Sequence, residues 1–292
     1  DVNTNVTMGG FSGLGTVEVE SGSTLTTNPT GAFTFNGILS GGGDFAKINS
    51  GDVTLAGTLS GYTGDTTISG TGSLVLATAD GFSSSSMTTI NSGATLKMNE
   101  TTSVGNISGV GTIEVAANKV GTTEISGTQT FSGVISEPSA ASGARWDKSG
   151  SGTLDLTGAS SPVIEIQNTN RVTNGTLIVE TTSFGLSADN IALAPESTGV
   201  VPEIHFEENG SAAFFAGVIS GEGKVVKTGT ADMTVLTVQT FNGPLHVQKG
   251  NLLVPGNLFT AVTETLIEEE GILSPTDTAT FDRISGAGDI VT

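Results

Sequence analysis

The stretch Ile107-Ser-Gly-Val-Gly111, followed by Thr112-Ile-Glu-Val115, decides the fold because the chain repeats it. Phe11-Ser-Gly-Leu-Gly15, Leu39-Ser-Gly-Gly-Gly43, Ile219-Ser-Gly-Glu-Gly223 and Ile284-Ser-Gly-Ala-Gly288 are copies, and an interrupted one begins at Ile135-Ser136. An apolar residue enters, Ser-Gly-x-Gly turns the chain, and a short strand leaves. One strand-turn-strand phrase recurring along a chain implies a stack of similar coils rather than one irregular core.

A longer period lies above the short phrase. Residues 11–40 align with residues 107–136 at an offset of 96, and Phe33-Thr-Phe35 and Thr130-Phe131 have a third relative in Ala213-Phe-Phe215. After each comes a second phrase: Lys47-Ile-Asn-Ser-Gly51, Lys148-Ser-Gly-Ser-Gly152 and Lys227-Thr-Gly-Thr-Ala231. Each unit closes on Gly72-Ser-Leu-Val-Leu76, Gly175-Thr-Leu-Ile-Val179 or Gly250-Asn-Leu-Leu-Val254. The strands are short and alternate apolar residues with Thr, Glu or Asp, the period of two that suits the faces of a parallel coil. At roughly 20–24 residues per coil, about 12–14 coils are expected. At the strand spacing they stack to on the order of 60 Å. The whole of 1–292 reads as one β-helical fragment, with repeat-like units at about 11–106, 107–190 and 191–292.

Phe33, Phe35, Phe131, Phe214 and Phe215 recur at corresponding places, so they are expected to form an apolar ladder inside the coils. The step from the Ser of the apolar Ser-Gly to the lysine is seven positions in two units (Ser40 to Lys47, Ser220 to Lys227) but twelve in the middle one (Ser136 to Lys148). The excess falls in residues 137–146, which hold the only Trp. Insertions in solenoids map to surface loops, so this segment is expected to leave the coil. Pro138, Arg145 and Trp146 are the candidate partner contacts, because loop aromatics beside Arg often anchor interfaces. A packing role is the other reading of Trp146.

Composition narrows the function. Ten Lys and Arg against 29 Asp and Glu give a net charge of −19, and no basic patch exists to hold nucleic acid or anionic lipid. The acidity reads as solubility, with cation or basic-partner binding as the alternative. Cys is absent, which removes thiolate metal sites and Cys nucleophiles. No apolar run reaches the ~18 residues of a membrane helix, so no direct membrane insertion of this segment is expected. The start at Asp1, inside the pattern, reads as a mature product or an excised fragment.

Catalytic and metal chemistry find little support. Asp52, Asp65, Asp155 and Glu165 are the carboxylates a glycosidase would have to pair, and all sit where a coil turns a residue outward. Glu268-Glu-Glu270 reads as a solvated charge run, and His205 and His246 have no cluster of partners. Gly41-Gly-Gly-Asp44 and Gly286-Ala-Gly-Asp289 are weakly similar to calcium-binding nonapeptides, but they do not repeat in tandem. No catalytic residue, cofactor or metal site is assigned.

The phrases at 39–76, 135–179 and 219–254 resemble the autotransporter-associated β-strand repeat, found in the passenger domains of type V secreted proteins of Gram-negative bacteria. The resemblance implies a right-handed parallel β-helix exported across the outer membrane, with a C-terminal translocator barrel that is absent from this segment. It implies a secreted or surface-exposed virulence factor acting without catalysis, an adhesin that contacts a host cell-surface protein or glycan or self-associates. A secreted effector or toxin-like passenger is one alternative, and a carbohydrate-active enzyme of the β-helix type is the other.

Overall fold

A computed structural model describes residues 1–140, 142–157, 164–183, 190–254, 256, 259, 261–275, 281 and 283–291. It is all-β, a parallel β-solenoid, and the one helical element among the described residues is the short 3-10 turn Thr181–Ser183. Its contacts cluster into two units, Asp1–Asp147 and Lys148–Thr292. The division falls inside the middle repeat-like unit read from the sequence.

In the first unit, Val6–Met8, Thr24–Thr27, Asp44–Lys47, Thr66–Ile68, Met87–Ile90 and Asn106–Gly109 stack in sequence order as one parallel sheet. Val6 lies under Leu25, then Phe45, Thr66, Thr88 and Ile107, so successive coils take 19 to 22 residues. A second face stacks Phe33–Phe35, Val53–Leu55, Ser73–Leu76, Thr95–Met98, Thr112–Val115 and Val134–Ser136. A third face joins Thr16–Glu18, Ile38–Gly41 and Thr58–Tyr62. Alternation along each strand sends Leu25, Phe45, Leu74, Leu96 and Ile113 inward, all 0% exposed. Burial of this apolar column, at about 25 cal/mol per Å², is what drives the stacking.

The second unit stacks Thr153–Asp155, Thr176–Val179, Glu203–Glu207 and Lys224–Thr228 in the same parallel way. Two long strands, Thr240–Val254 and Val262–Pro275, then turn a corner without ending. Their pairing slips register between Gly243 and Pro244 and again between Val247 and Lys249. Thr240–Val254 thereby pairs with both Lys224–Thr228 and Met233–Val235.

The Ser-Gly-x-Gly phrase does one structural task in every copy. Its first glycine holds a left-handed φ: Gly13 122°, Gly41 100°, Gly109 106°, Gly221 84° and Gly286 115°. A Cβ on Gly109 would stand 2.1 Å from the Ile90 carbonyl oxygen one coil below, and one on Gly41 2.1 Å from that of Val19. Around Gly13 there is open space instead, so there only φ demands glycine. The 96-residue alignment is also met in space, because Gly13 bridges to Phe35 as Gly109 bridges to Phe131.

Phe35, Phe131 and Phe215 are buried, at 3%, 0% and 3% exposure. The expected ladder needs one correction. Phe214 is 65% exposed and Phe33 is half-buried. A strand of period two cannot turn both members of the adjacent pair Phe214-Phe215 inward.

Candidate functional site

The candidate contact residues are not brought together at the surface. Pro138 is exposed in the excursion after Val134–Ser136. That excursion folds on itself: Ser142 donates to the Glu137 carboxylate from its amide (3.1 Å) and its hydroxyl (2.5 Å), and its carbonyl accepts the Asn118 amide (3.1 Å). Ala141, inside the expected loop, lies outside the described residues. The loop stops short of residue 146, because Arg145–Ser149 is already a strand. Arg145 forks onto its near neighbour Asp147, Nε to Oδ1 at 2.8 Å and a terminal nitrogen to Oδ2 at 2.9 Å. Trp146 is 0% exposed, which removes it as a partner contact. It stands two residues before the repeat lysine, the place of Phe45 before Lys47 and Val225 before Lys227, and all of these point inward.

The repeat lysines are the functional groups that sequence reasoning missed. Lys47, Lys148 and Lys227 are 0%, 0% and 1% exposed. Each has an ammonium end turned onto backbone carbonyls at one corner of the coil. The residue two places on takes a left-handed φ in every copy: Asn49 71°, Gly150 72° and Gly229 76°. Its carbonyl accepts from Nζ at 2.9, 2.9 and 3.0 Å respectively. A carbonyl of the next coil accepts from Nζ too, that of Ser69 (3.5 Å), Asn174 (2.7 Å) and Lys249 (3.1 Å) respectively. Those acceptors each precede a left-handed glycine, Gly70, Gly175 or Gly250. Gly152 and Thr228 complete the set for Lys148 (2.5 Å) and Lys227 (2.6 Å). Three donors thus meet three acceptors at Lys148 and at Lys227, the condition for burying a charge. Burial pushes Lys148 and Lys227 down to about 8 and lowers Lys47 as well, against the opposing pull of Glu196, of Glu208 with Asp232, and of Asp52 respectively.

The carboxylates tie coils together. Asp52 accepts the Ser73 amide at 2.7 Å, Asp65 the Met87 amide at 2.7 Å, and Asp44 the Asp65 amide at 3.1 Å, each from one coil up. Asp155 accepts both the amide and the hydroxyl of Thr157, while Glu165 is exposed. Glu270 pairs with Lys249 at 2.9 Å, and Glu268 accepts from Gln248 at 3.1 Å. His205 lies 2.8 Å from Glu203, which Lys224 also meets at 3.2 Å, and that pairing with His205 and Lys224 holds the Glu203 carboxyl below its ordinary range despite partial burial. Burial, with Lys224 nearby, lowers His246. Among the described residues, no three His, Asp or Glu converge as a metal site.

One concave feature in the second unit opens beside this coil-to-coil bonding. Beside the Thr181–Ser183 turn opens a notch of about 460 Å³, whose lining includes Glu180, Thr181, Thr182, Glu208, Ser211 and Phe214. Glu208 is 4% exposed and accepts the Thr181 amide at 2.5 Å. Burial, with Glu180 nearby, raises its carboxyl above the ordinary range. The Thr182 hydroxyl donates to Glu180 at 3.3 Å. No sequence motif marks this place, since its residues come from different coils. Glu180, just past Thr176–Val179, and Glu208, just past Glu203–Glu207, are brought near each other only by the stacking of those strands.

No family model matches the chain, and neither the curated proteins nor the solved structures contain a match to it.

Proposed function

We propose that this chain is a β-helical passenger segment of an exported, type V secreted protein of a Gram-negative bacterium. At the cell surface or after release it acts without catalysis as an adhesin or host-interaction factor. The observation that carries this reading is the threefold lysine corner. The three Lys phrases that resemble the autotransporter-associated repeat fold into one geometry, with a left-handed residue two places on and a next-coil carbonyl over the ammonium. Such a stack commits its repeat lysines to its own backbone. Its variable chemistry is left to outer strand positions, the 137–144 excursion and the notch. That division suits a displayed scaffold that binds rather than a catalyst.

The test is binding of the purified chain to cultured epithelial cells. Saturable binding, competed by excess unlabelled chain, is expected. Absence of binding to cells, together with absence of self-association, would reject the adhesin reading. Release of reducing ends from polysaccharides incubated with the chain would move it to the carbohydrate-active enzymes instead.

A further inference from the structure

The repeat supplies its own control for Phe214. At the corresponding outward position the other two units carry Thr34 and Thr130, both exposed. The neighbouring inward position keeps its ring in all three, as Phe35, Phe131 and Phe215. Packing therefore accounts for Phe215 and not for Phe214, whose ring stands 65% exposed on the rim of the notch. A lone exposed apolar residue is ordinary. This one replaces a repeat hydroxyl at a concave site that also holds hydroxyls and carboxylates.

We propose that the notch binds a neutral sugar residue, a hexose or N-acetylhexosamine, at the end or side of a cell-surface glycan. The proposal deepens the adhesin reading and rests on it for the source of the glycan. The electron-rich ring face of Phe214 offers a platform to the C–H face of a pyranose. The Glu180 carboxylate accepts from sugar hydroxyls, and the Thr182 and Ser211 hydroxyls can donate or accept. The volume of about 460 Å³ lies within the range of small-ligand clefts. Charge sets the specificity. Glu180 and Glu208 line the notch of a chain whose net charge is −19, so sialylated, uronate and sulfated glycans are repelled.

The test uses the whole chain on immobilised oligosaccharides of glucose, galactose and N-acetylglucosamine, with their sialylated and sulfated counterparts and polylysine alongside. Binding to at least one neutral series is expected, and Phe214→Thr should weaken it at least tenfold with an unchanged melting curve. Threonine is the residue that the other two units carry, so this variant keeps the fold. Glu180→Gln should weaken binding severalfold. Equal binding by Phe214→Thr, binding confined to acidic glycans or to polylysine, or no binding at all would overturn the proposal. Cell binding distinguishes the two readings. If cells are bound but Phe214→Thr binds them equally, the notch proposal fails and the adhesin reading stands. If neutral sugar is bound through Phe214 but cells are not and the chain does not self-associate, the adhesin reading fails and the notch stands.

Discussion

Replacing Lys227 with Met keeps the length of the apolar stem and deletes the ammonium. The carbonyls of Thr228, Gly229 and Lys249 then lose the ammonium in a corner where the side chain is 1% exposed, and that of Thr228 keeps the Glu208 amide at 3.3 Å. A buried carbonyl left bare costs about 1–3 kcal/mol. Against this, the variant no longer buries a charge. Burial holds the Lys227 ammonium near 8 rather than 10.5, and at about 1.4 kcal/mol per unit that relief is about 3 kcal/mol. Mid-range values for the two bare carbonyls, set against that relief, leave a net loss of about 1 kcal/mol at neutral pH. The pH dependence gives a second readout. The folded pKa lies below the unfolded one, so between about pH 8 and 10.5 the unfolded chain binds more protons. Stability from this group therefore rises with pH across that window and is lost as pH falls through about 8. The gap between parent and Lys227→Met should widen by about 3 kcal/mol from pH 7 to pH 10.5. Urea titrations followed by circular dichroism, with amide exchange in Lys224–Thr228 to localise the effect, measure both. A variant more stable than its parent at pH 7, or a gap that stays flat or narrows with pH, would refute the carbonyl-cage reasoning.

The remaining expectations concern the glycines and the inward rings. Gly109→Ala meets both a φ of 106° and an oxygen 2.1 Å away, whereas Gly13→Ala meets only the φ of 122°. The first should cost more than about 2 kcal/mol and clearly more than the second, as read by thermal melts; equal losses would remove the close-approach argument. Phe131→Ala and Trp146→Ala each leave a cavity at a fully buried site and should cost about 3–5 kcal/mol, with amide exchange rising in the adjoining coils first. Trp146→Ala with unchanged stability but lost cell binding would restore the surface reading of that ring.

The solenoid was legible because its determinants are local and repeated. Ser-Gly-x-Gly announces a left-handed turn, alternation announces a strand with one buried face, and the offset of 96 announces stacking. Side-chain direction was harder, because it depends on parity within a strand. Lysine is almost never fully buried unless its charge is met, and nothing in the phrase itself gave the opening Lys an inward place. What meets it is a trio of backbone carbonyls, which have no residue signature. The parity was nonetheless written in the repeat. Phe45-x-Lys47 and Val225-x-Lys227 place an apolar residue two before the lysine, and Trp146-x-Lys148 follows them inward. Counting the insertion from Ser136 hid this, since the extra residues end before Arg145. The notch was illegible for another reason: Glu180 and Glu208 are 28 residues apart and meet only through the stacking of Thr176–Val179 on Glu203–Glu207.

The register of the parallel stack is open to direct test because the chain has no cysteine of its own. Thr67 and Thr89 are paired on adjacent coils of the first unit, and Thr234 and Leu253 on adjacent coils of the second. Adjacent strands stand about 4.8 Å apart, within the reach of a disulfide. Converting either pair to cysteine should give rapid, quantitative cross-linking under mild oxidation. Thr54→Cys with Thr67→Cys, on different sheets of the first unit, should stay reduced. Cross-linking of that control pair as fast as the paired residues, or failure of both paired sets, would contradict the parallel solenoid.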